Sequence, residues 1–114
     1  MEDCLFCKIV RGEIPSNKVY ENEELVAFHD IQPQAPVHVL VIPKKHIPSA
    51  HQIQSEDAAL IGSLHIAAQQ VANQLGIAKD GYRIVTNIGL HGQQTVPHLH
   101  YHVLGGRQLQ WPPG

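Results

Sequence analysis

The chain has 114 residues, 43% of them hydrophobic and 16% charged, enough for one compact domain around a single core. A formal net charge of −2 gives no basic field for a nucleic-acid backbone, no stretch is long and apolar enough to span a membrane, and two cysteines are too few for a disulfide scaffold. A reducing cytoplasmic setting is the expectation, and the excess of histidine, nine residues, is what needs explaining.

The acidic start Met1-Glu2-Asp3-Cys4 lacks the positive region and long apolar run of a secretory signal. Residues 4–10 predict a short helical turn, with Cys4 and Cys7 on one face and Gly12 and Pro15 ending it. Residues 18–21 and 25–29 read as two short strands joined at Asn22-Glu23, a plausible hairpin. The stretch 31–36 holds two prolines and predicts a loop. His38-Val39-Leu40-Val41-Ile42 is nearly continuous apolar sequence, as a central strand requires. Ser55-Glu56-Asp57 predicts a helix start, with Ser55 capping free amides and two carboxylates at the positive end of the dipole. Leu60, Ile61, Leu64, Ala68, Val71 and Leu75 then form one apolar stripe that should cover a sheet face, and Gly76 is the stop signal. His51 and His65 read as ordinary surface residues. Residues 82–87 predict another strand, with Asn87 near its end.

Residues 88–95 carry Gly89, Gly92, Gln93, Gln94 and Thr95, and their amides, with the Thr95 hydroxyl, could gather around an anion. His98, His100 and His102 then alternate with Leu99, Tyr101 and Val103. Strict alternation predicts a strand with the three imidazoles on one face, Pro97 at its start and Gly105-Gly106 at its end. Neighbouring histidines would sit roughly 7 Å apart and the outer two roughly 13 Å. One metal ion with bonds near 2 Å is too small to take all three, so they should have separate jobs. A lone histidine in a strand is usually a tolerated polar residue; three in alternation cost more than a core would carry and point to a functional cluster. The tail from Gln108 to Gly114 predicts an extended segment. With no repeat and no linker, residues 1–114 are assigned to one domain.

His98-Leu99-His100-Tyr101-His102-Val103-Leu104 matches the His-φ-His-φ-His-φ-φ signature (φ is apolar) of the histidine-triad family, which the chain resembles over nearly its whole length. Ala27-Phe28-His29-Asp30-Ile31, Pro33-Gln34-Ala35-Pro36, the run from His38 to His46, Gly105-Gly106-Arg107 and Trp111-Pro112-Pro113-Gly114 resemble its branch of histidine-triad nucleotide-binding proteins. The branch of dinucleoside polyphosphate hydrolases is a weaker match. The resemblance implies an α+β fold, a five-stranded antiparallel sheet with one long and one short helix, paired as a homodimer into a ten-stranded sheet. It implies a hydrolase that cleaves the P–N bond of purine nucleoside phosphoramidates (adenosine monophosphate–amine conjugates) through a nucleotidyl-histidine intermediate.

By the same resemblance His100 is the nucleophile, while His102 and Thr95 contact the phosphate. Asn87 and the backbone of Gln93 and Gln94 complete that pocket, and Asp30 holds the ribose hydroxyls. Phe6, Ile14, Phe28, His29 and Ile31 surround the base, and Trp111 reaches toward the partner's site. Gln93 and Thr95 stand where close relatives often have glycine and serine; Thr95 keeps the hydroxyl, and Gln93 bears on how tightly the loop can turn. The chemistry is sound in itself: neutral imidazole is nucleophilic and leaves phosphorus readily in a second step, with no metal required. His38 is expected either to support the triad or to be a satisfied core histidine.

Cys4 and Cys7 admit three accounts. A redox pair would normally follow a strand, and nothing precedes Cys4; two idle thiols are the bland alternative. Several histidine-triad relatives with this pair hold zinc in this way, and the resemblance implies a structural zinc ion on Cys4, Cys7, His46 and His98. Two other functional classes compete with the hydrolase: a nucleotide-binding or scaffolding protein with incidental activity, and a zinc module that contacts a partner.

Overall fold

The computed structural model describes residues 3–114; Met1 and Glu2, and so the start of the acidic N-terminal stretch, lie outside the described residues. A short helix α1 (Leu5–Val10) precedes three strands, β1 (Lys18–Glu21), β2 (Leu25–His29) and β3 (Val37–Pro43). The long helix α2 (Ala58–Gln74) follows, and then β4 (Tyr82–Val85) and β5 (Tyr101–Gly105). The strands form one five-stranded sheet in the order β1-β2-β3-β5-β4, antiparallel throughout. The expected α+β fold with one five-stranded antiparallel sheet is therefore what the chain adopts.

Local chemistry explains the pieces. At the β1–β2 hairpin the Asn22 side-chain oxygen accepts from the amides of Glu24 (2.8 Å) and Leu25 (3.1 Å), closing the turn from within. α1 ends with Gly12 in the left-handed region (φ 78°). The amides of Gly12 and Glu13 fold back onto the carbonyls of Ile9 (3.0 Å) and Lys8 (2.9 Å), the paired bonds of a Schellman stop. α2 ends the same way at Gly76 (φ 75°), with Ile77 bonded to the Ala72 carbonyl at 3.0 Å.

Strand alternation splits the core in two. Leu25, Ala27, Val39, Val41, Leu99 and Val103 face α2 and meet Leu64, Ala67, Ala68, Val71 and Ala72. Val26, Phe28, Leu40 and Ile42 face the other way and meet Phe6, Cys7 and Ile9 of α1. β3 is buried along nearly its whole length on both sides, which is why it reads as an unbroken apolar run. Helix α1 is thus fastened to the sheet face that carries the histidines.

Three expectations need correction. Ser55 does not cap α2. Residues Ser55–Asp57 form a 3₁₀ turn, and the buried Asp57 carboxylate accepts from the Gln54 amide (3.0 Å) and from Lys45 Nζ (2.6 Å). A carboxylate already paired with Lys45 at a helix entrance also satisfies an orphan amide. The histidine strand also starts later than alternation predicts. The backbone at 98–100 is captured by loops: His98 N–H bonds to the Val96 carbonyl (2.8 Å) and Leu99 N–H to that of Ile47 (2.6 Å). The ladder begins only at Tyr101, opposite Val41. Side-chain alternation survives, because Leu99 still faces α2 while His98 and His100 meet Phe6 on the other side. The strand predicted over 82–87 closes at Val85, leaving Asn87 just beyond it.

Candidate functional site

Each triad imidazole has one nitrogen committed, and the partners determine where its proton sits. His100 is buried, and its Nδ1 lies 2.7 Å from the His98 carbonyl oxygen. A carbonyl only accepts, so Nδ1 carries the hydrogen and Nε2 of the neutral ring keeps a lone pair. Burial holds the His100 pKa below the ordinary imidazole range, against the His98 carbonyl and Asp30, which favour the charged ring. Phe6 stands edge-on to the ring at a centroid distance of 5.1 Å. The result is a neutral imidazole with a free Nε2 lone pair, a form suited to nucleophilic attack.

His102, on β5 opposite Leu40, is set by a longer chain. The Gln34 amide donates to His38 Nδ1 (3.0 Å), so His38 must carry its hydrogen on Nε2. That nitrogen lies 2.8 Å from His102 Nδ1, which is therefore the acceptor, and His102 carries its own hydrogen on Nε2. His102 Nε2 is buried and has no hydrogen-bond partner among the described residues. An orphaned buried donor costs about 1–3 kcal/mol, and its place beside His100, with ring centroids 5.0 Å apart, makes it a donor held ready for a ligand. Burial first, then the neighbouring His100 and His38, pushes the His102 pKa down to about 4. His38 is likewise lowered by burial, with Asp30 opposing.

Asp30 closes the chain. Its Oδ2 lies 3.4 Å from His38 Nε2, and its Oδ1 accepts the Gln32 amide at 2.8 Å. Asp30, His38 and His102 are near enough to form a metal set. Ligation through His38 Nε2 would require the opposite tautomer and turn two N–H groups on each other at Gln34, so the three read as a hydrogen-bond chain.

The loop upstream of the triad is a tight turn. A Cβ at Gly92 would lie 2.3 Å from the Ile88 carbonyl oxygen, so only glycine fits. Gln93 takes a left-handed conformation (φ 64°). The Gln94 side chain braces the turn, donating to the carbonyls of Pro48 (2.8 Å) and Val96 (3.0 Å) and accepting from the Gly89 amide (3.3 Å). Thr95 is exposed and Asn87 half-buried at the two ends of this turn. Thr86, which sequence reasoning passed over, donates its hydroxyl to the His100 carbonyl (3.0 Å) and fastens the end of β4 beside the triad.

The candidate base-contacting residues separate. Phe6, Phe28 and Ile14 pack in one cluster, with the two aromatic rings edge-to-face at 5.7 Å. His29 and Asp30, at and just past the end of β2, are half-buried. Ile31 is 95% exposed. Trp111 is 79% exposed and lies at the β4 edge, with the Arg83 guanidinium 5.9 Å from its ring centre. Arg83 also donates to the Gln110 carbonyl (2.9 Å), so the tail is tied to that edge.

His98 meets different partners. Its Nε2 donates to the Pro43 carbonyl (2.8 Å), leaving a lone pair on Nδ1. That Nδ1 lies 3.4 Å from Cys4 Sγ, 3.5 Å from Cys7 Sγ and 3.2 Å from His46 Nδ1, and Cys7 Sγ is 3.2 Å from His46 Nδ1. Two sulfurs and two imidazole nitrogens, with no fifth group among the described residues, form a set that could hold a metal ion. The Pro43 carbonyl is the outer partner that orients a ligating imidazole. Burial, then the neighbouring Cys4, raises the Cys7 thiol pKa, so a bound cation would have to deprotonate it.

A HIT domain family model matches residues 11–109. An uncharacterized HIT-like protein of Synechocystis is 53% identical over 113 residues, 99% of this chain and 98% of its own length. The crystal structure of a HIT family hydrolase from Legionella pneumophila Philadelphia 1 matches with a TM-score of 0.97 and 48% identity, covering 98% of this chain and 100% of that one. A HIT family hydrolase from Clostridium thermocellum matches with a TM-score of 0.94 and 50% identity over 96% of each chain.

Proposed function

The chain belongs to the HIT domain family, and on that premise we propose that it hydrolyses purine nucleoside phosphoramidates, releasing a nucleoside monophosphate and an amine. The observation that carries this is the bond from His100 Nδ1 to the His98 carbonyl, which leaves Nε2 free to attack. The similarity to two HIT family hydrolases supports hydrolysis as the class of reaction. His100 Nε2 bonds to phosphorus as the P–N bond to the amine breaks, and the nitrogen, which takes a proton from solvent, leaves as free amine. Water then attacks the same phosphorus, the bond to His100 breaks, and the water's proton restores the balance. The orphaned His102 Nε2–H is the donor for a phosphoryl oxygen, helped by the Thr95 hydroxyl and the amides of the 88–95 loop. Asn87 borders the same phosphate. Asp30 takes the ribose hydroxyls, and Phe6, Ile14, Phe28, His29 and Ile31 take the base.

Cys4, Cys7, His46 and His98 would hold zinc, which when bound supplies a structural cross-link and no chemistry on the substrate. The protein would act as a homodimer: β4 is an edge strand of the sheet among the described residues, and the exposed Trp111 lies along that edge. Two free cysteines suit a reducing cytoplasm.

His100→Ala should lower turnover of adenosine phosphoramidate by roughly 10³-fold or more while adenosine monophosphate still binds. Rapid quenching with labelled substrate should trap nucleotide on the native protein and none on the variant. Near-normal turnover by His100→Ala would overturn the mechanism and leave nucleotide binding as the function. Sedimentation showing only monomer at micromolar concentration would remove the dimer.

A further inference from the structure

We propose that Asp30 and His38 are positioning residues through which the sugar of the substrate sets His102, so that catalysis, and not only binding, reads the ribose hydroxyls. This rests on the proposed function for its substrate; the hydrogen-bond chain itself does not. His38 is held rigidly: it is 5% exposed, and its Nδ1 is fixed by a backbone amide, that of Gln34. The Gln34 carbonyl is in turn held by Arg107 (2.9 Å), just past the end of β5. His38 therefore presents one hydrogen, on Nε2, and two acceptors compete for it: His102 Nδ1 at 2.8 Å and the Asp30 carboxylate at 3.4 Å.

That competition is the coupling. A bare carboxylate draws the shared hydrogen toward itself. When two ribose hydroxyls donate to Asp30, part of its charge is satisfied and its pull on His38 weakens. The His38 hydrogen then goes wholly to His102 Nδ1, which holds the His102 hydrogen on Nε2, where a phosphoryl oxygen can accept it. A nucleotide without those hydroxyls would bind but leave His102 less firmly set. The one residue described as a sugar contact would thus also govern a phosphate donor that competes with it for the same His38 hydrogen.

Two measurements test this. In protein with nitrogen-labelled histidine, magnetic resonance should show His102 protonated on Nε2 and bare on Nδ1. His38→Leu should turn His102 into a mixture of tautomers, and His38→Gln, which keeps a donor at the same reach, should restore the native form. Addition of adenosine monophosphate should sharpen the native tautomer, and 2′,3′-dideoxyadenosine monophosphate should not. In kinetics, removing both ribose hydroxyls from the phosphoramidate should lower kcat of the native protein by roughly 10- to 100-fold. In His38→Leu that dependence of kcat should shrink to about twofold or less, leaving a change in KM alone. An unchanged His102 tautomer in folded His38→Leu, or a sugar effect confined to KM in the native protein, overturns the proposal. If no phosphoramidate is turned over by native protein, the proposed function fails, and the tautomer measurements still decide the chain from Asp30 to His102.

Discussion

Gln93 holds a backbone conformation that an L side chain pays for: its φ is 64°, and left-handed geometry costs a non-glycine residue about 1–2 kcal/mol. The loop keeps it there because its neighbours are committed, with the Gln94 side chain bonded on both sides and Gly92 pressed against the Ile88 carbonyl. Gln93→Gly should therefore stabilise the protein by up to about 1 kcal/mol, part of the gain being offset by a freer unfolded chain, and raise the urea midpoint with an unchanged slope. Gly92→Ala should do the opposite. Its Cβ has nowhere to go, so the turn must open, and both stability and turnover should fall.

Helix α1 has six residues, too few to be stable alone. Three ties hold it: the Cys4 sulfur accepting the Cys7 amide at 3.4 Å, Phe6 buried among Phe28, His98 and His100, and the Gly12 stop. Gly12→Ala places a side chain at φ 78° and should cost about 1 kcal/mol in chemical denaturation. The cluster of Cys4, Cys7, His46 and His98 is the fourth tie. Protein purified without chelator or polyhistidine tag should carry about one zinc per chain. Cys4→Ser/Cys7→Ser should lose it and melt at lower temperature, and unchanged metal content and melting in that variant would remove the site.

Across the whole molecule, His38, His46, His98, His100 and His102 are all pushed by burial below the ordinary imidazole range, His102 to about 4. In the unfolded chain each would titrate near 6.5. Below that pH the unfolded chain takes up protons that the folded protein refuses. The contribution is thus fully present above about pH 6.5 and is lost as pH falls toward about 4, the folded value of His102. The melting temperature should be nearly flat from about pH 8 to 7 and fall steeply between about 6.5 and 4. A melting temperature that rises on acidification would show that the imidazoles are charged in the folded state.

Much of this architecture is written locally. Strands 18–21 and 25–29 have the expected bounds, because a short apolar run and an Asn-Glu turn are properties of neighbouring residues. The stripe from Leu60 to Leu75 marks α2, and Gly12 and Gly76 mark helix ends, for the same reason. The alternation of the triad foretold which face each side chain takes, and its three rings meet different partners. Tertiary structure decided what depends on distant partners. Ser55 looked like the cap until Lys45, ten residues upstream, engaged Asp57 in its place. The start of β5 moved to Tyr101 because the carbonyl of Ile47 captures Leu99. Above all, the proton on each imidazole is set by whichever group faces its other nitrogen: Pro43 for His98, the His98 carbonyl for His100, and Gln34 through His38 for His102. A histidine's identity and spacing are fixed along the chain, but which of its two nitrogens attacks, donates or ligates is fixed only where the folded backbone brings an acceptor or a donor to the other one.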